Sequence, residues 1–535
     1  MVKVLVSDPI ADKGIEILEE AGFDIVYNPN PSDDELQALA SDTNAWIVRS
    51  GTKITAELLK DARNLQVIGR AGVGVDNIDI KEATNQGVIV MNNPDGNTIS
   101  AAEHTIAMMM ALSRNIQLGH MGIVNGEWNR SSLVGNELKG KTLGVVGLGR
   151  IGREVIKRAI GLEMKIMGYD PFVNQEVFDQ DTVTLIDLDT LTQESDYITL
   201  HMPLLDSTKN LFNTERLSKM KSSARIINVA RGGIINETDL ANALNNDVIA
   251  GAAIDVFESE PLDMTSPLVK AKNVLLTPHL GASTHEASEG VSFGICRQIR
   301  DFILDDKLSN PINMPITDMA QLKQIRPYLE LAETLGKIEM QLAESPVKLV
   351  SVECFGNIED SKPIALSFLI GLFHDMTDNR INFVNAAVIA EERGISFSHS
   401  LNTEPVSFSN LIKAHVTTEH ATIEVAGSVF DDQHPRIVDI MGYEVDVRPE
   451  GNMLFIKNKD VPGVIGKVGT LLGAADVNIG EYLLSRTSQN ETAYAVVKLD
   501  SELDESDTAS GIVNILDIAA DKATTLVITG DAGLD

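Results

Sequence analysis

Residues 142–170 read TLGVVGLGRIGREVIKRAIGLEMKIMGYD, and their reading sets the fold of the chain. An apolar run at 143–146 stops at Gly147. Gly147-Leu148-Gly149-Arg150-Ile151-Gly152 then opens a segment of helical period. A second strand, 165–169, ends on Asp170. Each glycine has a physical reason for its place. Gly147 permits a tight turn, Gly149 lets backbone approach a pyrophosphate, and Gly152 lets helix pack close on strand. The helix N-terminus offers unpaired N–H groups and partial positive charge to phosphates. Asp170 stands 18 residues beyond Gly152, where it can bond ribose hydroxyls while its charge repels a 2′-phosphate. A dinucleotide site that prefers NAD to NADP is expected.

Outward from this segment, the N-terminal stretch alternates short strands (2–6, 24–27, 45–48, 66–69, 88–91) with helical patterns. That alternation predicts a parallel sheet flanked by helices. Ser100-Ala-Ala-Glu103 reads as a capping box opening an apolar helix to about 114, with His104 and Met108-Met109-Met110 in its core face. After the fingerprint, strands at 197–200, 225–229, 250–254 and 274–276 extend a doubly wound sheet. A helix near 283–306 is expected to pack back on the N-terminal sheet, so that domain is discontinuous. Asn310-Pro-Ile-Asn-Met-Pro315 is a stiff boundary. The expected organisation is a discontinuous flavodoxin-like domain (1–95 and 283–315) around a Rossmann domain (96–282). An α+β intervening domain (316–451) and a ferredoxin-like unit (452–535) follow. The last rests on βαββαβ order, with helices over 463–475 and 505–521.

A chain of 535 residues is too long for one core. Its net charge of −33 argues against nucleic acid or an anionic membrane as partner. The apolar runs 106–112 and 365–373 are too short to span a bilayer. Two cysteines, Cys296 and Cys354, give no disulfide framework and suit a reducing cytoplasm. No metal-ligand spacing stands out.

Three polar residues follow predicted strands, where open α/β sheets bind ligands. They are Arg231 after RIINVA, Glu260 in DVFESEP and His279 in TPHLGAS. A histidine with a carboxylate partner suits a general acid/base, and an arginine can hold a carboxylate in bidentate fashion. Spacing alone leaves open that Arg231 caps a helix and that His279 is a loop histidine. In the N-terminal half, Arg49 (IVRSGTKIT) and Arg70 (IGRAGVGVDNID) also end strands. The 71–74 run could present N–H groups to an anion.

VRSGTKIT, GRAGVGVDNID, NNPDGNTISAAEHT, GKTLGVVGLGRIGREV, NVARGGIINE, GAAIDVFESEPL and TPHLGASTHEA resemble the D-2-hydroxyacid dehydrogenases, in particular their long-form D-3-phosphoglycerate dehydrogenase branch. The likeness covers 1–312 closely and 316–450 in architecture. It implies NAD-dependent oxidation of 3-phosphoglycerate to 3-phosphohydroxypyruvate, the first step to L-serine. Arg231, Glu260 and His279 would be catalytic. Arg49 and Arg70 would anchor the phosphate, while Val73, Gly74 and Arg231 hold the carboxylate. Arg150, Ile151, Ala230 and Asp255 would join the fingerprint in binding NAD. Arg130 would reach a neighbouring subunit of a homodimer or homotetramer.

The tail resembles an ACT domain, whose amino-acid site would use Asp460, the Pro462-Gly463 turn and Asn478, with L-serine as effector. This chain carries Asn458 where some long-form relatives have an aromatic. Two competing readings are a glyoxylate or hydroxypyruvate reductase and a nucleotide-sensing corepressor. The paired Arg49 and Arg70 disfavour the first. The tail and the lack of a DNA-binding arm disfavour the second.

Overall fold

The computed structural model describes residues 1–179, 182–316, 322, 324–343, 345–374, 376, 380–404, 406–486, 492–501 and 520–528. The first sheet contains β1 (Lys3–Val6), β2 (Asp24–Tyr27), β3 (Ala45–Val48), β4 (Val67–Arg70) and β5 (Ile89–Asn92). Its order is β2-β1-β3-β4-β5 and every pairing is parallel, the flavodoxin-like arrangement. Strand β3 is buried at every residue, because a parallel sheet is covered on both faces. Val291, Ile295, Cys296 and Ile299 of helix His285–Asp305 complete one of those faces. The chain therefore returns to its first sheet after building the second. The return is fastened by Ile312, whose N–H donates to Val90 O (2.7 Å), and by Asn313, which accepts from the Val90 N–H (2.9 Å).

The second sheet contains β6 (Thr142–Val146), β7 (Lys165–Tyr169), β8 (Val183–Leu185), β9 (Tyr197–Leu200), β10 (Arg225–Asn228), β11 (Gly251–Ile254) and β12 (Val274–Leu276). Its parallel order, β12-β11-β10-β9-β6-β7-β8, reverses direction between β6 and β9. That reversal is where doubly wound sheets bind ligands. Edge strand β8, three residues long, has no legible period and is not anticipated by sequence.

The helix expected to open at a Ser100–Glu103 capping box starts earlier, over Thr98–Ser113. Its N-cap, Asn97, makes no side-chain cap bond. Ser100 Oγ instead lies 2.7 Å from Thr284 Oγ1. Met108 and Met109 are buried as expected, whereas Met110 is exposed.

The third sheet is mixed. It contains β13 (Val347–Gly356), β14 (Ser396–Asn402), β15 (Asn410–Thr418), β16 (Thr422–Phe430), β17 (His434–Ile440) and β18 (Tyr443–Val447), in the order β14-β13-β15-β16-β17-β18. Only the β13–β14 pairing is parallel. Helix Ser361–Phe373, which contains the 365–373 apolar run, is buried almost all round. A helix apolar on every side belongs in a core.

The fourth sheet contains β19 (Gly451–Lys459), β20 (Ile479–Arg486), β21 (Thr492–Leu499) and β22 (Ala520–Ile528), antiparallel in the order β20-β21-β19-β22. The second helix expected there, over 505–521, lies outside the described residues except at its last two positions, which begin β22. Alternation along β19 and β21 divides this sheet's two faces. Leu454, Ile456, Ala495 and Val497 pack with Val464, Val468 and Leu472. Met453, Phe455, Tyr494 and Val496 join Leu331, Ile338, Tyr443 and Val447 in the core of the third sheet. Among the described residues, no helix is long and apolar enough to cross a membrane.

Candidate active site

At the end of β6, Gly147 adopts φ +96°, and a Cβ there would meet the carbonyl oxygen of His201. A Cβ on Gly152 would meet the Gly147 carbonyl oxygen, so helix Arg150–Gly161 lies tightly on the turn. Gly149 caps that helix and faces open space, with nothing within 4 Å of a Cβ. The cradle thus has close packing below and room above, as a pyrophosphate requires. Asp170 accepts from Leu148 N–H and Phe172 N–H, each at 2.9 Å, so its carboxylate is fixed beside the glycine turn. Arg150 at the helix start pairs with Asp95 at 2.9 Å. These residues fit a dinucleotide carrying an unmodified ribose.

Between loops of the first and second sheets is a cleft of about 280 Å³, lined among others by Arg49, Arg70, Glu260 and His279. His279 follows β12 in a left-handed conformation, φ +53°. Its N–H donates to Asp255 O (2.9 Å), which turns the ring out of the sheet. Nδ1 of His279 lies 2.6 Å from Glu260 Oε2, while Glu260 Oε1 accepts from Phe257 N–H at 3.0 Å. The imidazole is therefore held by a carboxylate that is itself held by backbone. Arg231, after β10, sets its Nε 3.2 Å from Asp76 Oδ2, across from the 71–74 run. A Cβ on Gly74 would clash with its guanidinium, and one on Gly72 with that of Arg70. Burial first, then repulsion from Arg231 and Arg49, pushes the Arg70 guanidinium down to about 10. Arg70 Nε is buried without a hydrogen-bond partner. Three cations thus converge where like charge is costly and an anion would offset it.

Residues 106–281 match the model of the D-isomer specific 2-hydroxyacid dehydrogenase NAD binding domain. Residues 324–441 match that of the D-3-phosphoglycerate dehydrogenase intervening domain. A D-3-phosphoglycerate dehydrogenase of Synechocystis sp. is 42% identical over 94% of this chain and 91% of its own length. The chain belongs to the D-3-phosphoglycerate dehydrogenase family. A second relative of that name, from Bacillus subtilis, is 39% identical over 98% of this chain and its full length. The NAD+-bound crystal structure of 3-phosphoglycerate dehydrogenase from Entamoeba histolytica covers 58% of this chain and 98% of its own. It does so at TM-score 0.50 and 30% identity. This member of the family is accordingly an NAD-dependent dehydrogenase.

In this member of the family, several residues that sequence reasoning did not single out hold the cleft in shape. Asp8, 1% exposed at the end of β1, accepts from Arg49 N–H (2.5 Å) and Thr52 N–H (3.0 Å) through one oxygen. Asn77 Nδ2 donates to the carbonyls of the same two residues, at 2.7 and 2.6 Å. Asn92 Nδ2 donates to Val73 O at 2.5 Å. Asn97 lines the cleft with a buried amide oxygen that has no partner. Asn97 stands inside a motif already quoted for its resemblance, and that was the signal available.

His104 behaves differently from expectation, and its partner is Asp255. Asp255 is fully buried, and its oxygens accept from Thr277 Oγ1 and from the Leu280 and Gly281 N–H groups. Burial opposes its charge, but these bonds and His104 more than offset it and hold the carboxyl below its usual range. Its side chain thus serves the loop that carries His279. His104, expected in the core, is only partly buried and bonds Asp255 at 3.2 Å. In the fourth sheet, Asp460 pairs with Arg486 at 3.2 Å, and Asn478 Nδ2 donates to Asp500 at 2.6 Å. Asn458 is buried, with its amide oxygen unpartnered. Among the described residues, no cluster of three or more His, Cys, Asp or Glu is placed to hold a metal.

Proposed function

We propose that the protein oxidises 3-phospho-D-glycerate to 3-phosphohydroxypyruvate with NAD, as the names of its relatives suggest. The observation that carries this reading is that Arg49 and Arg70 line one cleft, with Arg231 near enough to repel Arg70, in a chain of net charge −33. Surface screening over roughly 8–10 Å lets such a cluster act despite the global charge. Arg49 and Arg70 hold the phosphate, while Arg231 and the Val73–Gly74 backbone hold the carboxylate and the C2 oxygen. His279, with Nδ1 donating to Glu260, offers Nε2 to the C2 hydroxyl and takes its proton. Glu260 stabilises the imidazolium that results. NAD, when bound, supplies the hydride acceptor; Gly147, Gly149, Gly152, Arg150, Ile151, Ala230, Asp170 and the Asp255 loop would hold it.

L-Serine, the end product implied, is the proposed effector of the ferredoxin-like unit, read as an ACT domain, with Asp460 and Asn478 meeting its amino and carboxylate groups. A second copy of the chain is the proposed partner. Supporting this, Ile116, Met121, Ile123 and Val124 of helix Ile116–Val124 and the neighbouring Trp128 are exposed together. The reading places the enzyme in the cytoplasm, where its two buried, unbridged cysteines are stable. The test is NAD-dependent turnover of 3-phosphoglycerate against unphosphorylated glycerate, with and without L-serine. Equal kcat/KM on the two substrates would overturn the phosphate assignment.

A further inference from the structure

Helix Ile80–Asn85 links the cleft to the intervening domain. It ends at Gly87 (φ +67°), where the last carbonyls of a helix ordinarily turn to water. Here side chains from a distant turn meet them. Asn382 Nδ2 donates to Gly87 O at 2.8 Å, and Asn385 Nδ2 donates to Asn85 O at 3.3 Å. A Cβ on Gly87 would stand only 2.9 and 3.0 Å from those two nitrogens. Between the asparagines, Val384 is 5% exposed and sits in the first sheet's core with Val4, Met91 and Leu308. The turn is shaped beforehand: Asn382 Oδ1 accepts from Val384 N–H and Asn385 Oδ1 from Asn382 N–H, both at 2.9 Å. It forms a preorganised plug.

At its other end the same helix begins beside the arginines. Asp79 caps it, accepting from Glu82 N–H at 3.0 Å. Asn77, two residues before, grips the carbonyls of Arg49 and Thr52, and Asp76 pairs with Arg231. The helix has six residues, a rod of about 9 Å at 1.5 Å per residue. Movement at Gly87 therefore reaches Asp76 and Asn77 with little slack.

We propose that Asn382 and Asn385 are positioning residues for the substrate cleft. The intervening domain, through this plug, fixes helix Ile80–Asn85 and so the aim of Arg49 and Arg231. The proposal rests on the reading that those arginines bind 3-phosphoglycerate. The test uses full-length Asn382→Asp, which keeps the oxygen that accepts from Val384 N–H but sets a carboxylate oxygen against the Gly87 carbonyl. Val384→Ala, a milder change to the same plug, is measured beside it. Expected are faster amide hydrogen exchange over 72–87 and a KM for 3-phosphoglycerate raised about 5–50-fold, since small misplacements of binding groups are costly. KM for NAD should be unchanged. Faster exchange with an unaltered KM for 3-phosphoglycerate would overturn the proposal, as would unaltered exchange in both variants. A wild-type enzyme inactive on 3-phosphoglycerate would instead overturn the substrate reading, whatever the exchange shows.

Discussion

His279 Nδ1 and Glu260 Oε2 lie 2.6 Å apart although 19 residues separate them, because both follow strands that end on the same edge of the second sheet. The contact fixes which ring nitrogen is left for substrate. His279→Ala should lower kcat by about 10²–10⁴-fold, the usual range for a general acid–base group. Glu260→Gln should fall short of that loss and shift the pH profile. Wild-type kcat in His279→Ala would remove the histidine from the mechanism.

Arg70→Ala should raise KM for 3-phosphoglycerate about 10–100-fold, since a charged hydrogen bond contributes roughly 1.5–3 kcal/mol. Turnover of unphosphorylated glycerate should change little. Equal losses on both substrates would mean that Arg70 shapes the cleft and does not read the phosphate.

Asp170→Ala should narrow the preference for NAD over NADP, measured as the ratio of kcat/KM values. Because Asp170 also accepts from Leu148 N–H and Phe172 N–H, KM for NAD should rise as well. An unchanged ratio would place selectivity in another residue.

Much of the site was legible in the chain. Gly147, Gly149 and Gly152 answer local demands on backbone and packing, so their spacing alone announces the turn. Arg231, Glu260 and His279 each follow an apolar run, and the parallel sheet collects them at one edge. Asp8 and Asn77 were not legible because their partners are backbone atoms 25–44 residues away. No periodicity encodes such a bond. Ser100–Glu103 misled for the opposite reason. The motif is local and genuine in form, but the helix begins before it and Ser100 meets Thr284. His104 looked like core because its helix is apolar, and only the tertiary fold sets it against Asp255.

Glu339 provides a pH test. It is fully buried on helix Arg326–Leu342, with Oε1 accepting from Val425 N–H at 3.1 Å and Oε2 unpartnered. Burial pushes its carboxyl well above the usual range, with nearby Glu424 adding to the effect. A raised folded value means that the neutral acid stabilises the fold. That stability is complete below the unfolded value near 4.3 and is lost as pH rises through the folded one. The urea midpoint should therefore decline toward alkaline pH in the wild type and decline less in Glu339→Gln. Parallel curves for the two proteins would show that Glu339 does not govern this dependence.

Serine binding would have to exchange partners already present, Arg486 for Asp460 and Asp500 for Asn478. Asn478→Ala should weaken L-serine binding in calorimetry while leaving the uninhibited rate intact. Coupling of about 1–3 kcal/mol between effector and substrate sites is the expected scale. No heat of binding to the wild-type protein, together with equal rates with and without serine, would leave this unit a structural role.

Met453, Phe455, Tyr494 and Val496 have a consequence for how the molecule can be cut. One face of the fourth sheet is the floor of the third sheet's core, so a break near residue 451 would open a hydrophobic wound on both fragments. Natural recombination or laboratory grafting should carry 324–528 as a single cassette, since β22 pairs along β19. A tail transplanted alone would arrive with its inner face bare and would aggregate.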